Sequence, residues 1–364
     1  MLDFVYTANP VRIVFGPGAL GRAAEEVARL GRRRTLVLAG PELVALGDRL
    51  EAVLADTVVG RFGGVAMHTP VEVTEVVMGL VRSVRPDCLV AVGGGSTTGL
   101  AKAIAMRTDL DQVVLPTTYA GSEVTPVLGE TEHGRKTTHS SPAVLPETVI
   151  YDVELTRNLP VPITVTSAFN AMAHAVEALY APGANPAIDA WAVRAIMLLG
   201  DGLRRLPARP ADLEVRSDLL VGAWLAASCL GSVGMGLHHK LCHTLGGSFG
   251  LPHAATHTVV LPQAIAYNAP AAPRAMDQIA AALNAPDAAT GVYDLITSLN
   301  GPVALRELGM AREDLRAAAE LATSASYPNP RKPTPDGITQ LLEAAWAGRR
   351  PSSIRPQFRR NGES

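Results

Sequence analysis

Residues 88–106 read CLVAVGGGSTTGLAKAIAM, and this stretch decides the fold class. A short apolar run, residues 88–92, leads directly into three glycines and then into a helical pattern over residues 97–106. A glycine loop between a strand and a helix lets backbone N–H groups approach a phosphate, and the helix N-terminus favours its charge. The spacing is not GxGxxG, so the stretch predicts a phosphate-binding strand–loop–helix unit other than the usual dinucleotide fingerprint.

A second polar loop follows the next apolar run. Residues 112–116 read QVVLP, and residues 116–123 read PTTYAGSE. Threonine hydroxyls and a Gly–Ser pair suit hydrogen bonding to a ribose, a phosphate or a nicotinamide amide, and such loops lie at the ligand-binding edge of open α/β sheets. The two loops together predict a nucleotide site. The predicted coenzyme-binding residues are Gly93, Gly94, Gly95, Ser96, Thr97, Thr117, Thr118, Ser122, Ala39 and Gly40.

The choice of coenzyme stays open at this point. An acid or a base at the end of an early strand usually selects the adenosine ribose. Here the predicted strand 35–39 ends in Ala39-Gly40-Pro41, and the first acid after it is Glu42. Nothing there excludes a 2′-phosphate, so both NADH and NADPH remain possible.

The character of the chain changes near Leu159-Pro160. Before this point apolar runs alternate with helical patterns, which predicts a parallel sheet covered on both faces. After it, helical segments are separated by proline and glycine breaks. We predict an α/β fold with a Rossmann-like dinucleotide-binding domain over residues 1–158 and an all-helical substrate domain over residues 159–364, with the active site in the cleft between them. The helices predicted in the second domain span residues 164–181, 186–206, 212–230, 234–247, 272–284, 287–299, 302–308, 312–324 and 335–348.

Composition excludes several classes of partner. Of the 364 residues 48% are apolar and 18% are charged, the net charge is −2 and 4% are aromatic. No basic stripe with interleaved aromatics occurs, which argues against nucleic acid as a partner. The cysteines are scattered and odd in number, so they suggest neither a disulfide framework nor a CxxC zinc site.

A membrane partner is not expected either. The N-terminus lacks the apolar core and cleavage site of a signal peptide. Residues 219–237 carry no charge and reach about the length of a membrane span. Because this stretch contains several glycines and serines and leads into histidines, we interpret it as a buried helix of a cytoplasmic protein.

Histidines crowd the second half of the chain. Five of the nine lie between positions 238 and 257, namely His238, His239, His243, His253 and His257. Asn170 and His174 are four residues apart, as are His239 and His243, so each pair projects from one helix face. We place His253 in the loop after a Gly246-Gly247 break. Two helix pairs and one loop imidazole can converge on a point, as first-row metal sites require.

These motifs together resemble the iron-containing alcohol dehydrogenase superfamily. GGGS paired with PTTYAGSE, then N-x3-H and H-x3-H-x9-H, match that family's pattern over nearly the whole chain. The family carries an Asp-His-His-His metal site. By this match Asn170 stands in place of the aspartate, His174, His239 and His253 match the metal histidines, and His243 matches a non-ligand histidine near the substrate. The resemblance also implies the two-domain architecture that dehydroquinate-synthase-like enzymes share.

Two departures from the family pattern narrow the resemblance. Gly99 replaces the acid of GGGSxxDxAK, and Ala120 replaces the threonine of TGSE. Together with SAFNAMAHA and the MHTPVEVT segment around His68, they resemble the maleylacetate reductase subgroup, which reduces a carbon–carbon double bond in the catabolism of aromatic compounds. This resemblance implies a reduced nicotinamide coenzyme, the dicarboxylate maleylacetate as substrate, and a homodimer.

The amide at position 170 weakens the predicted metal site. It removes the only anionic ligand that would offset a divalent charge, and neutral imidazoles alone bind such an ion more weakly. We therefore predict that the set Asn170, His174, His239 and His253 works without a required metal. Hydride addition β to the ketone builds enolate charge, for which His239, His253 and the Asn170 amide are the predicted donors. His243 is predicted to protonate the adjacent carbon.

Several residues are predicted to bind the substrate. Its carboxylates need cations or N–H groups, and Arg331 lies in a proline-rich loop that could form one wall of the cleft. Arg135 and Lys136 are weaker candidates. The predicted substrate-binding set is Asn170, His174, Lys240, Tyr119 and Arg331.

Two alternatives remain. A metal-dependent alcohol or polyol dehydrogenase of the same superfamily would oxidise alcohols and lose activity on chelation. A nucleotide-binding protein without catalysis could also carry Asn170 and Gly99, but the reactive histidines His239, His243 and His253 are all present.

Overall fold

The chain folds into a sheet with covering helices, followed by a region of packed helices. The computed structural model describes residues 4–67, 69–132 and 135–352. Within these residues the strands are β1 (Arg12–Phe15), β2 (Thr35–Ala39), β3 (Val58–Phe62), β4 (Cys88–Gly93), β5 (Asp111–Pro116), β6 (Val127–Glu132), β7 (Arg135–Ser140) and β8 (Thr148–Tyr151). The α-helices are α1 (Ala23–Arg29), α2 (Val44–Leu54), α3 (Val71–Val84), α4 (Gly95–Thr108), α5 (Val161–Ala178), α6 (Pro186–Arg205), α7 (Leu213–Val233), α8 (Leu237–Phe249), α9 (His253–Asn268), α10 (Pro273–Ala282), α11 (Ala288–Ser298), α12 (Leu315–Thr323) and α13 (Pro335–Ala347).

The central strands are apolar because helices cover both faces of the sheet. β2 and β4 are buried along their whole length. Side chains alternate between the two faces of a strand. Accordingly, Val90 packs in the cluster that holds Leu50 of α2, whereas Leu89 packs in the cluster that holds Leu100 of α4. The predicted parallel α/β domain is confirmed.

The sheet has the strand order β1-β8-β5-β4-β2-β3, and each adjacent pair runs parallel. The sequence predicts β2, β4 and β5 but not the edge strands β1 and β3, nor β8, which lies between β1 and β5. β1 and β3 are only partly buried, so they lack the continuous apolar run of a central strand. β8 is fully buried but only four residues long. The antiparallel pair β6–β7 forms a separate two-stranded sheet.

The helical region is organised around α5. Every residue of α5 from Ser167 to Ala178 is buried, and α6, α7 and α9 pack around it. The predicted helical domain is confirmed, except that the segment predicted as a helix over residues 302–308 forms only a short 3-10 helix, Leu305–Leu308. Two further local predictions need correction. His253 is the first residue of helix α9 and does not lie in a loop. The sequence concealed this helix because it is buried on nearly all sides, so it lacks an amphipathic period, and Pro262 within it suggested a break.

The second correction concerns Gly246 and Gly247. Helix α8 continues through both glycines to Phe249, and Gly250 ends it in the left-handed conformation with φ 71°. Glycine in a helix interior costs about 1 kcal/mol, an amount that packing against α9 and α12 can offset.

The uncharged stretch 219–237 spans two helices and the turn between them. α7 ends at Val233, and Gly234 follows it with φ 81°. Among the described residues no single helix is long and apolar enough to cross a membrane; α7 and α8 pass that test only as a pair bent by 98°.

Candidate active site

The two predicted nucleotide loops lie side by side. In the sheet, Ala39 of β2 pairs with Val92 of β4, and Gly93 pairs with Pro116 of β5. The Thr117 backbone N–H donates to the Gly93 carbonyl at 2.9 Å. The carboxyl ends of β2, β4 and β5 therefore form one edge, where the predicted coenzyme-binding residues come together.

The glycine run allows close packing as well as backbone access. A Cβ on Gly93 would lie 2.2 Å from the Thr97 hydroxyl oxygen, and one on Gly94 would lie 3.2 Å from the Thr118 methyl carbon. Gly94 is the N-cap residue of α4, and Gly95 at its first turn is exposed. A side chain at Gly93 would collide with the first turn of α4, and one at Gly94 would press against the second loop. The exposed start of the helix is a position that favours an anion.

The end of β2 carries an acid that the sequence alone did not place. A Cβ on Gly40 would lie 2.5 Å from a Glu42 carboxylate oxygen, so this side chain folds back over Gly40, just after the end of β2. A carboxylate there can accept hydrogen bonds from ribose hydroxyls and repels a 2′-phosphate.

Lys102 of α4 holds the end of the second loop by hydrogen bonds to its backbone. Its ammonium is buried and donates to the carbonyl oxygens of Ser122, Thr125 (2.6 Å) and Val127 (2.9 Å). Burial lowers the pKa of Lys102 to about 7. Burial also raises the pKa of the neighbouring Glu123, whose carboxylate accepts a hydrogen bond from the Tyr151 hydroxyl at 2.8 Å.

The histidines converge as the spacing predicted. His174 of α5 stacks on His239 of α8 with ring centroids 5.1 Å apart. The ring centroid of His243, one turn further along α8, lies 6.2 Å from that of His239 and 6.3 Å from that of His253 at the start of α9. Three helices thus bring four imidazoles into one cluster, although the individual roles assigned to them stay predictions.

The cluster touches the second nucleotide loop. Asn170 Nδ2 donates to the Ala120 carbonyl at 3.3 Å, and a Cβ on Gly121 would lie 3.3 Å from His174 Nδ1. Gly121 has φ 81°. Its lack of a side chain lets the loop approach the imidazole. The second loop predicted to bind the nucleotide is therefore in contact with the histidine cluster.

Several buried polar atoms of the cluster have no partner within the described part of the chain. They are Asn170 Oδ1, His174 Nδ1, His239 Nε2 and His257 Nε2. Burial lowers the pKa of His174 and of His257 well below the usual range, so both imidazoles are neutral. Neutral imidazoles and an amide oxygen fit a divalent first-row ion, although the set contains no anionic ligand.

Sequence reasoning missed Glu177, which is 1% exposed. It lies three residues after His174, and its carboxylate is 2.7 Å from His239 Nδ1. Helical spacing from His174 was the one available indication, because residues three apart share a helix face.

A second buried group lies behind the cluster. His238 Nε2 is 3.0 Å from His257 Nδ1 and 3.6 Å from Cys242 Sγ. The potential ligand atoms of these three residues lie within 4.8 Å of one another. Burial raises the pKa of Cys242 well above its usual range, so the thiol keeps its proton. His257 connects this group to the cluster, since its ring lies 4.4 Å from that of His253 and 5.1 Å from that of His239.

Three predicted substrate-binding residues lie in different surroundings. Tyr119 is fully buried and its hydroxyl is 3.3 Å from Arg216 Nη1. Arg331 lies over the Tyr267 ring at 4.2 Å and donates to the Tyr267 carbonyl at 3.2 Å. Lys240 is partly exposed on α8 between His239 and His243. Tyr119 and Arg331 are thus engaged by neighbours within the protein.

The remaining predictions fall on residues that are not described. His68 lies outside the described residues. The side chains of Arg135 and Lys136 are likewise outside what the structure describes. Their predicted contributions stay predictions.

Family profiles match both halves of the chain. The profile of the iron-containing alcohol dehydrogenase matches residues 10–153. The C-terminal profile of the Fe-containing alcohol dehydrogenase family matches residues 164–346.

Individual relatives agree with these profiles. The chain is 58% identical to maleylacetate reductase 1 of Rhodococcus opacus, covering 96% of this chain and 98% of the relative. It is 52% identical to the maleylacetate reductase of Rhizobium sp. strain MTP-10005, covering 96% and 100%. The crystal structure of maleylacetate reductase from Agrobacterium tumefaciens superimposes with a TM-score of 0.93 at 50% identity, covering 96% of this chain and 100% of that one.

Proposed function

The chain belongs to the iron-containing alcohol dehydrogenase family, and on that premise we propose that it is a maleylacetate reductase. It reduces the carbon–carbon double bond of maleylacetate to give 3-oxoadipate, with NADH or NADPH as the hydride donor. The observation that carries this proposal is the contact between the second nucleotide loop and the histidine cluster, through Asn170 and Ala120. The choice of substrate is supported by the 58% and 52% identity with two maleylacetate reductases over 96% of the chain.

The reaction places specific demands on the cluster. A reduced nicotinamide coenzyme held by the two nucleotide loops would supply hydride to the alkene carbon β to the ketone. The electron pair of the double bond would then move toward the ketone oxygen, which would carry enolate charge until a proton from the site adds to the adjacent carbon. Hydrogen-bond donors aimed at the developing oxyanion are worth about 3–4 kcal/mol each.

We assign the donor role to His253 and the acid role to His243. His239 is not assigned the donor role that the sequence predicts, because its Nδ1 lies 2.7 Å from the Glu177 carboxylate and donates there. The Asn170 amide N–H donates to the Ala120 carbonyl, which favours a role for Asn170 in holding the loop against α5. We expect His243→Gln to lower kcat by about one hundredfold, the usual contribution of a general acid.

We propose that no metal is required. His174, His239 and His253 with Asn170 Oδ1 would hold a divalent ion, which would polarise the ketone oxygen as a Lewis acid. Because none of these ligands is anionic, the ion would bind weakly. Activity retained after prolonged chelation supports this proposal, and loss of activity that stoichiometric iron or zinc restores would contradict it.

The decisive assay follows NADH and NADPH oxidation with maleylacetate beside a panel of aldehydes and ketones. We expect rapid turnover of maleylacetate and little of the aldehydes. Turnover of aldehydes or alcohols without turnover of maleylacetate would favour the alternative, a metal-dependent alcohol dehydrogenase. The homodimer, the cytoplasmic location and the domain boundary near residue 158 stay predictions.

A further inference from the structure

One carboxylate joins the two helices that carry most of the histidine cluster. Glu177 of α5 is buried, and it follows Asn170 and His174 on the same helix. Its oxygens accept hydrogen bonds from the backbone N–H groups of Gly236 at 2.8 Å and His238 at 2.7 Å. These two N–H groups lie at the start of α8. Glu177 therefore caps α8, where a negative charge is favoured.

The same carboxylate contacts a site histidine directly. His239 Nδ1 lies 2.7 Å from Glu177 Oε2. A carboxylate without a proton can only accept, so Nδ1 must donate to it. A neutral imidazole has a single N–H group, and with that proton on Nδ1 the buried Nε2 carries a lone pair.

The turn before α8 lies close to the Glu177 carboxylate. A Cβ on Gly236 would lie 3.0 Å from Glu177 Oε1, so glycine at this position lets the backbone approach the carboxylate. Both Glu177 and His239 are almost fully buried, with exposed fractions of 1% and 2%. In such surroundings a hydrogen bond is electrostatically stronger than in water, so this one fixes both side chains.

We propose that Glu177 is a positioning residue for His239. It holds the proton of His239 on Nδ1, turns an Nε2 lone pair into the site, and fixes α8 against α5 at the same time. His239 is then an acceptor toward the substrate pocket, which leaves His253 and His243 to donate. The kinetic part of this inference rests on the proposed function, whereas the tautomer does not.

The tautomer can be measured on the wild-type protein. In 15N-histidine-labelled protein, the ring nitrogen shifts report which nitrogen carries the proton, and comparison with the His239→Ala spectrum identifies the His239 signals. We expect a protonated Nδ1 and an unprotonated Nε2. A proton on Nε2 with Nδ1 unprotonated would overturn the proposal, whether or not maleylacetate is the substrate.

A double-mutant cycle tests the kinetic role. Glu177→Gln keeps the shape of the side chain, but its amide can donate to Nδ1 and so favours the opposite tautomer. We expect kcat for maleylacetate to fall about tenfold, equivalent to about 1.4 kcal/mol. In the His239→Ala background the same change should lower kcat less than about twofold, because the group through which Glu177 acts is gone.

Asp212 provides a matched control. It caps α7 by accepting from the backbone N–H groups of Glu214 and Val215, and it touches no histidine of the cluster among the described contacts. Asp212→Asn should lower the unfolding free energy without lowering kcat. An equal loss of kcat from Glu177→Gln in both backgrounds would show a structural cap only and would overturn the proposal. Failure of the wild-type enzyme to reduce maleylacetate would instead refute the proposed function and leave the tautomer measurement standing.

Discussion

Replacing Gly99 with alanine tests why this chain lacks the acid that its family carries there. Gly99 is buried on α4, and a Cβ added to it would lie 2.3 Å from the Thr69 hydroxyl oxygen. Thr69 is 5% exposed and has φ 49°, a conformation that β-branched residues rarely adopt. The side chain of Thr69 therefore takes the space that a side chain at position 99 would need.

The expected effect combines two opposing terms. Alanine in place of glycine within a helix stabilises by about 1 kcal/mol. Overpacking a buried contact costs about 1–3 kcal/mol. The two terms together lead us to expect that Gly99→Ala lowers the unfolding free energy by up to about 2 kcal/mol in the wild-type background. Thr69→Ala removes the colliding oxygen and leaves a Cβ at an ordinary 3.5 Å, so Gly99→Ala should then stabilise by about 1 kcal/mol.

Urea unfolding of the wild type, both single variants and the double variant measures this change of sign. The reasoning would be refuted if Gly99→Ala stabilised the wild-type background, or if it cost the same in both backgrounds. A KM for NADH measured on the same proteins shows whether a displaced Thr69 disturbs the coenzyme loop at the start of α4.

Three further predictions concern charge. Asn170→Asp supplies the missing anionic ligand, so calorimetry should show Zn²⁺ binding at least about tenfold tighter than in the wild type. Maleylacetate turnover should fall, because the new carboxylate repels the dicarboxylate substrate. An unchanged Zn²⁺ affinity would contradict this prediction. Glu42→Gln removes the carboxylate that folds over Gly40, so the ratio of kcat/KM for NADPH over NADH should rise, by about tenfold for a change of 1.4 kcal/mol; a ratio that stays constant would place the ribose elsewhere. Burial lowers the pKa of Lys102 from 10.5 to about 7, so above pH 7 the unfolded chain holds more protons than the folded chain. The unfolding free energy of the wild type, relative to that of Lys102→Met, should therefore rise with pH by at most about 1.4 kcal/mol per unit. A difference between the two unfolding free energies that stays constant from pH 7 to 8.5 would refute the lowered pKa.

Local sequence patterns predict an element or a residue pair correctly where one short segment contains the whole pattern. The strands β2, β4 and β5 are continuous apolar runs, and helical spacing paired Asn170 with His174 and His239 with His243. The helix α9 was concealed for the converse reason. A helix buried on nearly all sides has no polar face, so its sequence shows no period, and His253 was placed in a loop.

The fold class, the two nucleotide loops and the set of converging histidines follow from the sequence, because glycine runs and fixed helical spacings are local properties. The surroundings of those groups follow from the packing of the folded chain. The contact between Glu177 and His239 joins residues 62 positions apart, and Thr69, in the loop before α3, lies against Gly99 of α4. The sequence shows that Asn170 departs from the family pattern, but the hydrogen bond from its amide to the Ala120 carbonyl is a property of the folded chain. Such contacts depend on how helices pack, which spacing along a chain does not encode.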